Sequence, residues 1–289
     1  MRFVGVRDGR RTVVGLVLER AGVSKLARIA DVDDFYADLP HWLSAAREIT
    51  ASGHGGADLD DLADVAASPG LAPPVPAGAR VLGMGLNYHA HAAETGLELP
   101  RKPPIFARWT ASLTVDGTPV PVPPGERGLD WEGELAAVVG TRLVDVDEAT
   151  AQRGVLGYAV FNDLSARRAQ GASAQWTLGK NSDRSGPMGP VVTTDEAGDP
   201  AAGLRLVTRV NGEVMQDGNT NDMIFTVGAI LSFVSRTIPL DPGDVLITGT
   251  PAGVGYTRTP PRYLVPGDVV EVSIETLGTI RNPVTAAQS

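Results

Sequence analysis

Leu129-Asp130-Trp131-Glu132-Gly133-Glu134-Leu135-Ala136-Ala137-Val138-Val139-Gly140 is the stretch whose reading decides both fold and chemistry in this chain. The apolar run Leu135 to Val139 predicts a buried strand, which Gly140 can end. Side chains alternate faces along a strand, so Glu132 and Glu134 point the same way. Two carboxylates on one face at the mouth of an apolar strand repel each other and lose water together. Either that end of the strand is solvated, as is usual for acidic residues, or a cation or proton sits between them. Among cations, a hard divalent ion suits carboxylate oxygens best.

A second apolar, β-prone run, Gly157-Tyr158-Ala159-Val160-Phe161, delivers Asn162-Asp163 at its C-terminal end, where a loop or helix begins. Asp163 thereby joins Glu132 and Glu134 as a candidate ligand, with waters or substrate completing an octahedral shell.

The 289 residues suffice for a large core, and abundant Gly and Pro with few aromatics suit a loop-rich β-containing enzyme. A formal charge of −9 argues against nucleic-acid or anionic-membrane partners. With no Cys, thiolate ligands, disulfides and a cysteine nucleophile are excluded. No apolar run reaches the roughly 18–20 residues of a membrane span, and no secretory signal is evident, so a soluble cytoplasmic protein is expected.

Around Asp8-Gly9 the sequence predicts a hairpin over Arg2 to Leu18. Asp33 to Ile49 reads as a helix broken near Pro40, and Ala57 to Ala67 as a second, acidic helix. Ser68 to Pro76 is extended and proline-rich, giving a boundary between a small α+β domain, 1–75, and a larger domain, 76–289. Gly83-Met84-Gly85 lacks the third glycine of a dinucleotide site. Asn87 to Gly96 predicts a short helix on which His91 and Glu94 are neighbours, either a surface pair or an imidazole oriented as a general base. His89-Ala90-His91 is not a metal motif here, because only His41 and His54 remain as further ligands. Lys180 is read after a short strand, where it is either solvated or set to neutralise developing charge. Thr248 to Gly255 has no P-loop lysine, but its backbone and hydroxyl groups suit a carboxylate.

Taken together, the motifs resemble the fumarylacetoacetate hydrolase family from about Arg80 to Val284. They are Gly85-Leu-Asn-Tyr with His91 and Glu94, Asp130-Trp-Glu-x-Glu-Leu, Asn162-Asp163-x-Ser-Ala-Arg with Gln170, Gly179-Lys180 before Gly186-Pro-Met-Gly-Pro, Val210-Asn-Gly-Glu-Val, and Asp241-Pro-Gly-Asp-Val-Leu-Ile-Thr-Gly-Thr-Pro. The resemblance implies an α+β, mostly β fold, with a mixed β-roll or sandwich catalytic domain, a small N-terminal domain and a homodimer. It also implies Mg²⁺, Mn²⁺ or Ca²⁺ on Glu132, Glu134 and Asp163, a His91–Glu94 pair that activates water, a functional Lys180, and substrate contacts from Gln170 and Thr250. Where the family shows Phe-x-Lys this chain has Phe106-Ala107-Arg108, so Arg108 is expected to grip a substrate carboxylate bidentately. Trp131 and Gly133 depart from the family pattern as well.

The implied reaction is hydrolytic C–C cleavage of an acylpyruvate or related β-diketo acid, the cation stabilising the enolate charge. Oxaloacetate decarboxylation and the isomerisation or tautomerisation of a 2-hydroxy-diene diacid use the same enolate. A non-catalytic, metal-dependent ligand binder is the alternative of another class.

Overall fold

The computed structural model describes residues 1–20, 22–52, 59–61 and 70–287. An antiparallel meander opens the chain: β1 (Arg2–Asp8), β2 (Arg11–Arg20), β3 (Val23–Asp31) and, after two helices, β4 (Leu59–Asp61). The β1–β2 hairpin turns where Asp8-Gly9 predicts it, with Gly9 at φ 59°. Helices α1 (Val32–Ala37) and α2 (Leu39–Ser52) break at Asp38, because Pro40 cannot supply an amide to the preceding turn. The second acidic helix is not formed at Leu59–Asp61, which add to β3 as a strand; the rest of that segment to residue 67 lies outside the described residues, apart from this strand. Farther on, β5 (Leu71–Ala72) pairs with β1, and Tyr36 donates its hydroxyl to the Pro74 carbonyl at 2.8 Å.

The middle of the chain contributes β6 (Val81–Met84), the short helix α3 (His89–Thr95), β7 (Ile105–Arg108), β8 (Leu113–Val115), β9 (Val120–Val122), β10 (Gly133–Val139), α4 (Glu148–Arg153) and β11 (Val155–Asn162). Two helical turns follow, α5 (Arg167–Gln170) and α6 (Thr177–Lys180), then β12 (Gly186–Met188), β13 (Val191–Thr193) and a third turn, α7 (Thr194–Ala197). The last third adds β14 (Arg205–Val210), β15 (Glu213–Asn219), α8 (Val227–Ser235), β16 (Val245–Ile247), β17 (Val269–Ile274) and β18 (Gly278–Ala286).

Among the described residues these strands form two sheets, one of 13 strands and one of 5. The larger runs β4-β3-β2-β1-β13-β11-β10-β16-β6-β7, so the N-terminal meander continues it through the β1–β13 pairing. Its far end is β7, the edge position that the flanking Pro103 and Pro104 favour. The smaller sheet runs β15-β14-β17-β18-β9. The fold is thus α+β and mostly β, as expected.

Strand β10 is buried along its whole length, and its alternation sorts the core into two layers. Leu135, Ala137 and Val139 pack with Leu206 and Val272 of the smaller sheet and with Ile230 and Val234 of α8. Ala136 and Val138 face the other way, into a core shared with Phe3, Phe35 and Leu39. Each fully buried aliphatic side chain of this kind stabilises the fold by about 1.5–3 kcal/mol. No helix among the described residues is long and apolar enough to cross a membrane.

Candidate active site

The β10–β11 register builds the acidic cluster. Glu134 pairs across the sheet with Phe161, and two residues further out the Asp163 amide donates to the Glu132 carbonyl at 2.8 Å. Glu132 and Asp163 are therefore direct cross-strand neighbours, with Glu134 two residues along on the same face. Ligand oxygens of Glu132, Glu134 and Asp163 all lie within 4.8 Å of one another, and all three residues are buried. Gly133 between the glutamates is a packing requirement: a Cβ there would meet Thr208 Oγ1 at 2.4 Å.

Like charges facing each other across a sheet destabilise it unless countered. Lys180, on the turn α6, donates its ammonium to Glu132 Oε2 at 2.6 Å and Asp163 Oδ2 at 2.5 Å. It is presented by a helical turn, where the sequence predicts a strand end. Arg167 bridges three partners, donating Nε to Asp130 Oδ2 at 2.8 Å, Nη2 to Glu132 Oε1 at 2.6 Å and Nη1 to Gln170 Oε1 at 2.8 Å. The Tyr256 ring covers its guanidinium at 4.4 Å. Burial opposes ionisation of Glu132, but Lys180 and Arg167 outweigh it and hold the carboxyl at about 2. Glu134 forms no ion pair among the described residues. One oxygen accepts the Gly249 amide at 2.7 Å, and burial, with Asp163 and Glu132 adding to it, pushes its pKa well above the ordinary carboxylate value.

Arg108 is not where the sequence places it. It donates to Asp163 Oδ1 and, through Nη2, to Ser185 Oγ at 2.8 Å, with its guanidinium over the Phe161 ring at 5.7 Å. The side chain is fully buried against Asp163 and is not among the residues lining the cavity, where a grip on a substrate carboxylate would require it. Register explains this: Val81 pairs with Arg108, which directs the residue inward at the end of β7.

His91 and Glu94 meet as their spacing predicts, with Nδ1 and Oε2 at 3.0 Å on α3, which Gly96 ends at φ 67°. The other Glu94 oxygen accepts the Gly253 amide and the Thr257 hydroxyl, each at 2.9 Å. Loop 249–257 thus holds carboxylates, as its composition implies, but they are the protein's own. Gly249 serves Glu134, Gly253 and Thr257 serve Glu94, and the Gly255 and Tyr256 amides serve Asp130 at 2.6 and 3.1 Å. Trp131 fastens the same loop by donating Nε1 to the Gly253 carbonyl at 3.0 Å.

A cleft with about 530 Å³ of empty space opens onto this constellation. Its polar lining comprises His91, Glu132, Glu134, Arg167, Gln170, Lys180, Thr250 and Tyr256. Asp163 and Glu94 back that lining through Lys180 and His91. Residues 80–285 match the family described as fumarylacetoacetate (FAA) hydrolase, C-terminal. The chain belongs to the fumarylacetoacetate hydrolase family.

Three similar proteins carry different activities in their names. The mitochondrial oxaloacetate tautomerase of Xenopus laevis is 40% identical over 208 residues, 71% of this chain and 65% of its own length. The 2-hydroxyhepta-2,4-diene-1,7-dioate isomerase of Mycobacterium marinum superposes with a TM-score of 0.76 at 31% identity, covering 100% of both chains. Fumarylpyruvate hydrolase of Pseudomonas aeruginosa, solved with Mn²⁺ and pyruvate, gives 0.67 at 30% identity over 75% of this chain and 92% of its own. Hydrolases, isomerases and tautomerases thus share this fold.

Asp130 and Arg167 escape a purely local reading. Their mutual contact spans 37 positions, and only the presence of both within the quoted motifs flags them.

Proposed function

We propose that this fumarylacetoacetate hydrolase family member uses a divalent cation to hydrolyse the C3–C4 bond of an acylpyruvate. The observation that carries the reading is the meeting of the carboxylate triad with the His91–Glu94 pair on one cavity. The triad fits a hard dication by its donor atoms and by its charge. Asp130, Glu132 and Asp163 form ion pairs with Arg108, Arg167 and Lys180, whereas Glu134 forms none among the described residues. Glu132, Glu134 and Asp163 would hold Mg²⁺, Mn²⁺ or Ca²⁺. When bound, the ion supplies Lewis acidity toward the 2-oxo group and carboxylate of the substrate.

The chain's own residues do the rest. Gln170 and Thr250 line the cavity wall. Arg167 holds Gln170 Oε1 at 2.8 Å, which would leave the Gln170 amide nitrogen for the substrate head group. The Thr250 hydroxyl instead donates to the Gly133 carbonyl at 2.8 Å and shapes the wall. Glu94 occupies Nδ1 of His91, which leaves Nε2 to take a proton from water. The hydroxide adds to C4 and the C3–C4 bond breaks, its electron pair remaining on C3. Lys180 steadies the developing negative charge, and C3 receives the proton that His91 took, giving pyruvate and a carboxylic acid.

Tautomerisation or isomerisation is the second reading, supported by likeness to the Xenopus and Mycobacterium proteins; it requires proton transfer by His91 without attack of water. The test is a panel of acetylpyruvate, oxaloacetate and a 2-hydroxy-diene diacid, assayed after EDTA treatment and again with Mg²⁺ or Mn²⁺. Hydrolysis of acetylpyruvate that vanishes with EDTA, returns with metal and drops by about 10²-fold or more in His91→Ala supports the proposal. Full hydrolysis in EDTA or in the His91 variant overturns it, and proton exchange without bond cleavage supports the second reading instead.

A further inference from the structure

We infer that the substrate's far end is an uncharged apolar group, alkyl or aryl, in preference to a second carboxylate. This rests on reading the site as one for a 2-oxo acid. Beyond the charged lining, the cavity is walled by Met84, Leu86, Leu97, Phe106 and Trp176. The wall is continuous with the reacting end. The Lys180 ammonium lies 5.2 Å from the Phe106 ring centroid, and Phe106 meets Trp176 edge-on with centroids 5.5 Å apart. A substrate tail leaving Lys180 therefore runs onto Phe106 and then Trp176.

The backbone is shaped around these rings. A Cβ on Gly83 would lie 2.1 Å from Phe106, and one on Gly85 would lie 2.5 Å from Trp176. Leu86 holds a left-handed φ of 48°, which a leucine rarely adopts and which marks a constrained turn at the cavity wall. Leu97 is 58% exposed, the position of a side chain that an apolar ligand would cover.

Among the described residues the cationic lining of the cavity, Arg167 and Lys180, is engaged at the reacting end and not at the distal wall. All three Arg167 nitrogen positions donate to protein oxygens, and Lys180 is shared by Glu132 and Asp163. The apolar wall offers one polar N–H, that of Trp176. A carboxylate placed there would lose water without gaining a counter-charge.

The test is calorimetric titration of the Mg²⁺-loaded protein with oxamate, N-phenyloxamate and N-(2-carboxyethyl)oxamate, alongside kcat/KM for benzoylpyruvate and fumarylpyruvate. N-phenyloxamate is expected to bind about tenfold or more tightly than oxamate, and benzoylpyruvate to be the better substrate. In Trp176→Ala and in Phe106→Ala the ratio of the N-phenyloxamate to the oxamate affinity should fall toward one. Normal oxamate binding with no gain from the phenyl group, or a greater gain from the carboxyethyl group, overturns the inference alone. Failure of oxamate itself to bind, together with no turnover of any 2,4-dioxo acid, overturns the 2-oxo-acid reading and the inference with it.

Discussion

Glu134→Gln should stabilise the metal-free protein and destabilise the metal-loaded one. The glutamine keeps the Gly249 contact and the shape of the side chain but removes a buried charge that has no cationic partner among the described residues. Burial, then Asp163 and Glu132, raise the Glu134 pKa in the fold. Below its unfolded value both states carry the proton, so the group contributes nothing to the pH dependence. As pH rises from there, only the unfolded carboxyl ionises, and stability falls until pH passes the folded pKa. Each unit of elevation subtracts about 1.4 kcal/mol at pH values above it. For chains of about 150–250 residues each kcal/mol moves Tm by roughly 2–4 °C. Glu132, held at about 2, contributes in the opposite sense: its stabilisation is full above the ordinary carboxylate value and is lost as pH falls toward 2 in both proteins. The difference between the proteins should therefore widen in thermal scans with EDTA as pH rises above the ordinary carboxylate range, and level off once pH passes the folded pKa of Glu134. With Mg²⁺ at one hundred times its Kd the wild type gains about 2.7 kcal/mol, and the variant little of it, so the order reverses. A variant less stable than wild type in EDTA across that range, or one gaining equally from Mg²⁺, would refute the assignment of Glu134 as the uncompensated ligand.

Thr257→Val removes a hydroxyl from Glu94 without touching the cavity lining, so kcat should fall about tenfold with KM little changed, and Thr257→Ser should restore it; steady-state kinetics decide. Lys180→Met frees oxygens of Glu132 and Asp163, so Mn²⁺ should bind more tightly by paramagnetic titration while turnover is lost. Arg108→Ala leaves Asp163 with Lys180 alone and should cost about 3–5 kcal/mol, whereas Arg108→Lys, which keeps the charge but not both contacts, should cost less; chemical denaturation measures both.

Much of this site was legible in the chain. The two-residue period around Gly133 puts both glutamates on one face, and the Phe161 run delivers Asp163 beside them, because strand alternation is a local rule that register extends across the sheet. The three-residue step from His91 to Glu94 was equally readable. Arg108 was not, since its burial follows from the pairing of β7 with β6 at the sheet edge. Leu59–Asp61 shows the same limit: a polar segment with helical composition is drawn into a strand by the free edge of β3. Arg167 and Asp130 meet only in the folded chain, and the apolar wall joins residues from β6, β7 and the segment before α6.

The loop from Gly249 to Thr257 works like a comb, its five teeth meshing with three acids: one on Glu134, two on Glu94 and two on Asp130. Lengthening it by a single residue would put every tooth out of step at once, uncoupling ion, base and arginine together. The turn at Asn211-Gly212 engages none of them and is tied instead to Asp268 and Val269, so the same insertion there should leave ion, base and arginine in step.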